Sequence, residues 1–208
     1  SCQVAMSIVE RYCKKYNKGK DKGKKYKDIL NKTAIVFVPM INPDGVTIAQ
    51  YGPKKINSSK LRKIIRRTNR SGGYRNWKAN ARAVDINRNF SSGWSHGVKR
   101  HPHSEGYCGK RSFSEKETKT FKKLVKQLKP KAVINLHSKG QIVYWGYKGS
   151  KVRKNEMKLT RIVFSQTHYG SVCENRVGGY GDAEHWLNSK KIPYVCIENG
   201  SGGVPVSH

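Results

Sequence analysis

The stretch Ala132-Val133-Ile134-Asn135-Leu136-His137-Ser138, followed by Lys139-Gly140-Gln141, constrains this chain more than any other. A continuous apolar run of that length is the pattern of a strand buried on both faces of a parallel sheet. It stops on an imidazole, a hydroxyl and a glycine-containing turn. Ligands of open α/β sheets bind at the carboxyl ends of strands, so His137 stands where a functional group would stand. Taken alone, the histidine reads first as an inert, hydrogen-bonded strand cap. Three other stretches shift that balance.

The remaining elements fall in order around this strand. Cys2, Ala5, Ile8, Val9, Tyr12, Cys13 and Tyr16 recur at helical spacing. A basic, glycine-containing connection follows over Lys18–Lys27. Ala34-Ile35-Val36-Phe37-Val38-Pro39-Met40 reads as a buried strand because of its β-branched content. The Asn-Pro and Asp-Gly pairs of Asn42-Pro43-Asp44-Gly45 predict a turn after it. Tyr51–Arg75 is polar, basic and weakly periodic, and reads as a solvated surface excursion. Trp77–Phe90 reads as a short strand opening into the polar cluster Asp85, Asn87, Arg88 and Asn89.

Ser91–Arg111 forms a long loop with His96, His101, His103, Glu105 and Cys108, too loosely spaced to fix a second metal site. Ser114 and Glu117 have capping-box spacing, and Phe121, Leu124, Val125 and Leu128 give the helix they open an apolar face. Ile142–Trp145 predicts a further strand and Lys151–Tyr169 a helix. Arg176–Asp182 is a glycine-rich loop, and Ala183–Lys190 a short helix. Pro193-Tyr194-Val195-Cys196-Ile197-Glu198 is a last buried strand, and it ends on a carboxylate. Strands separated by helices argue an α/β fold around a mixed or mostly parallel sheet, in one domain without internal repeats.

Charge and cysteines bound the partners. Lys and Arg number 43 against 13 Asp and Glu, a formal net charge of +30. Such a field draws polyanions but says nothing about fold. No nucleic-acid recognition motif accompanies it, so nucleic acid is a nonspecific partner at most, and an anionic cell-wall polymer matches equally well. The 5 cysteines include no C-x-x-C pair, which excludes a disulfide framework and a zinc ribbon. Cys196 reads as a small buried hydrophobe, while one disulfide through Cys108 or Cys173 stays open. No run is long enough to span a bilayer, and the compartment is not legible.

Two strands that end in His137 and Glu198 place an imidazole and a carboxylate at a sheet edge, and Asn87-Arg88-Asn89 could share it. An arginine fork beside an amide is suited to gripping a carboxylate. A metal-ligating histidine, a carboxylate base and a carboxylate clamp are the parts of a metal-assisted peptidase.

On these residues the chain resembles the zinc carboxypeptidase family (carboxypeptidase A type). Asn42-Pro43-Asp44-Gly45 is similar to its post-strand turn, and Val84-Asp85-Ile86-Asn87-Arg88-Asn89-Phe90 to its substrate-carboxylate motif. Leu136-His137-Ser138, with Gln141 and Tyr144 behind it, resembles the segment of the third zinc ligand. Ile192–Glu198 resembles the segment of the catalytic glutamate. These motifs stand in the family's order, which makes the match specific. The resemblance implies a mixed, mostly parallel central sheet flanked by helices, here as a single incomplete peptidase domain over residues 1–208, truncated at both ends. It implies that His137 ligates Zn²⁺ and that Glu198 is the general base, moving a proton from water to the leaving amine. It also implies that Asn87 and Arg88 hold the substrate's free carboxylate, with Asp85 orienting its neighbours.

Departures from the family pattern refine the expectation. The family takes its other zinc ligands from an H-x-x-E motif ahead of the first helix, and no H-x-x-E occurs in this sequence. Either a truncated piece or a degenerate relative accounts for that, and truncation is the reading preferred. Lys78 stands where the family places the arginine that polarises the scissile carbonyl, with Arg82 a substitute. The Trp-Lys-Ala-Asn form resembles the bacterial branch that cleaves γ-D-glutamyl–diaminopimelate bonds in peptidoglycan stem peptides. Tyr180 is the candidate for the active-site tyrosine, or a packed loop aromatic. Glu184 either favours an amino-bearing substrate group or lies on a helix surface. An extracellular or wall-associated location follows only from the resemblance. The rivals are a catalytically inactive basic module and nonspecific nucleic-acid binding by charge.

Overall fold

The structure, a computed structural model, describes residues 2–21, 23–69, 72–94, 101–102, 105–147, 149–174 and 180–201. His96, His103 and residues 176–179 of the glycine-rich loop lie outside the described residues. The chain divides into two compact units, Ser1–Ile41 and Asn42–His208.

In the first unit, α1 (Cys2–Lys15) realises the apolar stripe read from the sequence and buries Ala5. The basic connection after it is a small hairpin, β1 (Lys20–Asp21) antiparallel to β2 (Lys24–Lys25), which leads into α2 (Tyr26–Leu30). Tyr12 packs on Tyr26 with ring centroids 5.8 Å apart. The strand expected over Ala34–Met40 does not form. The segment pairs with no strand among the described residues, and Ile35, Val36, Val38 and Met40 are all exposed. β-Branched residues favour an extended backbone, but only a partner makes it a strand.

The second unit opens with a helix where a turn was expected. Asn42 caps α3 (Pro43–Tyr51), its Oδ1 accepting from the Gly45 N–H at 3.0 Å, with Pro43 at the first helical position. Asn before Pro is a helix-start signal as much as a turn signal. A 3-10 turn (Gly52–Lys55) leads to α4 (Ser59–Thr68). Ile48, Ile56, Ile65 and Ala81 form a small core there, with Leu61, Tyr74 and Trp77 around it. The stretch Tyr51–Arg75 is thus more than a solvated excursion: Ile56, Leu61, Ile65 and Tyr74 pack into this core, while Tyr51 stays exposed.

No strand forms over Trp77–Phe90 either. Asn80 Oδ1 accepts from the Arg82 and Val84 N–H groups at 3.0 and 3.1 Å, and Asp85 caps a 3-10 turn, Ile86–Arg88. Short polar side chains that bond the local backbone compete with a sheet ladder, and here they win. At α5 (Lys116–Leu128) the expected capping box is absent. Glu115 holds the N-cap position, Ser114 Oγ donates to Glu115 Oε1, and Glu117 Oε1 accepts from Asn80 Nδ2.

The sheet contains β3 (Val133–His137), β4 (Ile142–Tyr147), β5 (Gly170–Glu174) and β6 (Tyr194–Glu198), in the order β3-β6-β4-β5. β3/β6 and β4/β5 are parallel, and β4/β6 is antiparallel, so the sheet is mixed and mostly parallel as expected. Among the described residues β3 stands at the end of the strand order, and it is not buried on both faces as expected: Ile134 is exposed. α6 (Arg153–Thr167) packs on one face over Val143, Val195 and Ile197. α7 (Ala183–Ser189) lies against the other face, where Phe90, Trp186, Leu187 and Tyr194 form an aromatic core with Phe113 and Phe121.

Strand alternation decides what faces what. Val133 and Tyr194 lie in the α7-side core, and Leu136, Val195 and Ile197 in the α6-side core. Asn135, His137, Cys196 and Glu198 therefore share the α7 side, at the strand ends.

Candidate metallopeptidase site

Parallel pairing sets His137 opposite Glu198 in the β3/β6 register. The His137 Nδ1 lies 3.9 Å from Glu198 Oε1, and its Nε2 lies 3.8 Å from Glu184 Oε1. Asn135 Nδ2 donates to the same Glu184 oxygen at 2.6 Å. Glu184 is 5 % exposed, which corrects the helix-surface alternative: it points from α7 onto the strand ends. The imidazole thus has one nitrogen toward a buried, hydrogen-bonded carboxylate and the other toward Glu198. A carboxylate behind a histidine is the arrangement that fixes a metal ligand's tautomer and ring orientation.

Potential ligand atoms converge here. His137, Cys196 and Glu198 offer ligand atoms within 4.8 Å of one another. Glu198 Oε2 is buried and accepts no hydrogen bond among the described residues, an oxygen that an ion, a water or a substrate proton would satisfy. Burial pushes the Glu198 carboxyl above the ordinary glutamate value, and the Glu184 charge adds to that, while His137 and Lys78 pull it down. Cys196 is a sulfur at the site that its apolar neighbours in sequence concealed. Burial and the surrounding carboxylates push its thiol far up.

The Asn-Arg-Asn cluster resolves into three jobs. Asn87 Oδ1 accepts from the Ala183 N–H at 2.9 Å, which ties the cluster to α7 and leaves Nδ2 as the end that can donate to a ligand. Half-buried Arg88 is anchored by Nη1 on the Asn87 carbonyl oxygen, 2.6 Å away. Asn89 is fully buried and structural. Its Nδ2 donates to the Cys108 and Arg111 carbonyls and to Ser114 Oγ, and its Oδ1 accepts from the Glu115 N–H and Thr118 Oγ1. Asp85 orients the group by accepting from the Asn87 N–H at 2.9 Å. Burial raises the Asp85 carboxyl, and the Arg88 charge, the Asn87 N–H bond and the Lys78 charge oppose it.

The other candidates are placed as follows. Lys78 is exposed, 3.6 Å from Glu105, and acts by charge on both Glu198 and Asp85. Arg82 Nε lies 3.2 Å from buried Glu115 Oε2, so its charge is committed beside α5. Tyr180 is half-buried and its N–H donates to Asp182 Oδ2. Gly181, between them, has φ +77°, and a Cβ there would collide with the Arg88 carbonyl oxygen. Of the loop read as a loose metal site, Glu105 pairs with Lys78 and Cys108 is buried. None of the 5 cysteines forms a disulfide.

Sequence reasoning missed a second ionisable group nearby. His185 is 3 % exposed, with Nδ1 2.8 Å from Asp182 Oδ1, Nε2 3.6 Å from Glu174 Oε2, and its ring stacked on Tyr147 at 5.2 Å. Burial works to raise Asp182, but the His185 hydrogen bonds and charge outweigh it and hold that carboxyl below the usual range. A histidine inside a short helix carries no periodic signal that would reveal it.

Comparison with known proteins places the chain in a family. The zinc carboxypeptidase family profile matches residues 1–186, and the chain belongs to that family. Glu198 lies beyond the matched residues. The chain is 26 % identical over 181 residues to gamma-D-glutamyl-L-diamino acid endopeptidase 1 of Lysinibacillus sphaericus, covering 86 % of this chain and 45 % of that protein. It is 30 % identical over 182 residues to bovine (Bos taurus) carboxypeptidase B, covering 80 % of this chain and 40 % of that protein. It spans less than half the length of these relatives. Among solved structures, thrombin activatable fibrinolysis inhibitor superposes with TM-score 0.63 at 22 % identity, over 95 % of this chain and 50 % of that one. The murein-tripeptide amidase MpaA of Escherichia coli O157 gives 0.51 at 20 % identity, over 82 % and 58 %. These two show the fold: a carboxypeptidase-like sheet flanked by helices. No helix among the described residues is long and apolar enough to cross a membrane.

Proposed function

We propose that this chain is part of a zinc-dependent peptidase that hydrolyses an amide next to a free carboxylate in bacterial cell-wall stem peptides. The observation that carries the reading is the register pairing of His137 with Glu198, which brings imidazole and carboxylate within 3.9 Å. The bacterial relatives, one a gamma-D-glutamyl-L-diamino acid endopeptidase and one a murein-tripeptide amidase, support the substrate class.

His137 would hold the zinc through Nδ1, with Glu184 fixing the ring from behind. The family's H-x-x-E motif, which this sequence does not contain, would supply the other ligands. Zinc, when bound, supplies a Lewis acid that brings the pKa of water to about 7. Glu198 takes the proton of the attacking water and delivers it to the leaving amine. A carboxyl raised by burial is matched to that task, since a base works best with its pKa near the working pH.

Lys78 supplies a positive charge to the developing oxyanion, as a point charge without a fork. The charge of Lys78 acts on Glu198 while that of Arg82 is held by buried Glu115, which favours Lys78 over Arg82 in this role. Asn87 Nδ2 and the Arg88 guanidinium grip the substrate's free carboxylate. Glu184, buried behind His137 and bonded to Asn135 Nδ2, positions the imidazole rather than meeting a substrate amino group. Tyr180 closes on the bound peptide. An anionic wall polymer is the macromolecular partner that the charge suits.

This chain alone, with one zinc ligand, is expected to be inactive. The test is therefore product analysis by mass spectrometry with a zinc-loaded protein that contains this chain and an H-x-x-E segment. The substrate is a γ-D-glutamyl–diaminopimelate peptide with the carboxylate next to the scissile bond free or amidated. Cleavage of the free acid alone, abolished by a chelator, is expected. Equal cleavage of the amidated peptide would remove the clamp from the account. Chelator-insensitive cleavage would remove the metal.

A further inference from the structure

The lysines of α5 are spaced as a line. Lys116, Lys119, Lys123 and Lys126 follow one another at three, four and three residues, so they lie on one helix face over roughly 15 Å at 1.5 Å per residue. All four are exposed. The opposite face is the packed one: Thr118 and Val125 are buried, and Phe121 lies in the aromatic core. The acids of this region are turned elsewhere, Glu115 to Arg82 and Asn80, and Glu117 to Asn80. Among the described residues no ion pair engages any of the four lysines. Exposed Lys129 and Lys131 continue the charge past the helix end. Like charges three and four residues apart weaken a helix, so this row is held against its own repulsion unless a polyanion lies along it.

We propose that this face of α5 is the docking surface for a linear polyol-phosphate polymer of the bacterial cell wall. The row is made of lysines alone, compact point charges without the fork that reads a base edge. No exposed aromatic interrupts it, whereas grooves that bind single-stranded nucleic acid interleave aromatics on which bases stack. A flexible chain of evenly spaced phosphates needs only a line of cations. The choice of a wall polymer rests on the peptidase reading above; the lysine row itself does not.

The test is co-sedimentation of the protein with purified cell-wall sacculi that carry their polyol-phosphate polymer and with sacculi stripped of it, across a salt series. A variant with Lys116, Lys119, Lys123 and Lys126 all changed to Gln is compared with one of equal charge loss on α4, Lys60→Gln, Lys63→Gln, Arg66→Gln and Arg67→Gln. Circular dichroism checks that both fold. Binding to intact sacculi only is expected, with the salt slope reduced by about 3 in the α5 variant, at roughly 0.7 for each phosphate that is no longer neutralised. The α4 variant should keep most of its affinity. Equal loss in the two variants would mean that binding follows net charge, and would overturn the inference. So would equal binding to stripped sacculi, or tighter binding to single-stranded DNA at equal phosphate concentration. None of these readouts depends on hydrolysis, so a failed peptidase assay and a failed docking assay are told apart.

Discussion

His137 and Glu184 meet across two elements: the imidazole at the end of β3 presents Nε2 to a carboxylate that α7 delivers from below, 3.8 Å away. That contact turns the other nitrogen toward Glu198, and it couples three ionisable groups at the strand ends.

Glu184→Gln removes a negative charge beside Glu198 and leaves its shape. Because that charge helps to raise the Glu198 carboxyl, the variant should titrate Glu198 at lower pH than the wild type. Carbon-detected NMR titration of the side-chain carboxyl in the metal-free protein reads this directly. An unchanged or raised value would contradict the placement of Glu184.

Asn89→Ala should cost about 3 kcal/mol of stability, measured by urea unfolding. The side chain is fully buried and serves the 108–118 segment through both its Nδ2 and its Oδ1, with Trp94 Nε1 also donating to the Cys108 carbonyl. Truncation leaves several buried groups unpaired, each at roughly 1–3 kcal/mol, partly relieved by relaxation. A loss under about 1 kcal/mol would show that the segment is held by other means.

Glu156 gives a pH signature. It is fully buried on α6, bonded to Ser150 Oγ and Asn188 Nδ2, both at 2.9 Å, and burial raises its carboxyl despite those bonds. With the folded-state value above the unfolded one, the folded protein holds more protons between them. The stabilisation from this group is therefore complete below the unfolded value and is lost as pH rises through the folded one. Within that window the slope approaches about 1.4 kcal/mol per pH unit. Urea midpoints at successive pH values should show this decline in the wild type and a flatter profile in Glu156→Gln. Parallel profiles would contradict it.

These predictions draw on features of very different visibility in the sequence. β3, β4 and β6 announce themselves as apolar runs, and α1 and α5 by the spacing of their apolar residues. β5 does not: Gly170-Ser171-Val172-Cys173-Glu174 has little apolar content, and it is a strand because β4 offers it an edge. Ala34–Met40 is the converse, a strand-like composition without a partner. His137, Glu198, Asn87 and Arg88 were legible because each sits at a strand end or in a compact motif. Cys196 and Asn135 were not, because inward-facing positions depend on which side of the sheet α7 covers. Asn89 read only as a member of the polar cluster, and its burial shows that it holds the loop.

Zinc content and turnover measured together, in a zinc-loaded protein that contains this chain, test the central claim most directly. His137→Ala should lose the metal and with it all hydrolysis. Glu198→Gln should keep the metal while kcat falls by roughly 10²–10⁴, the usual worth of a positioned general base. A Glu198→Gln protein that hydrolyses at the wild-type rate, or a His137→Ala protein that still binds zinc as tightly, would contradict the account.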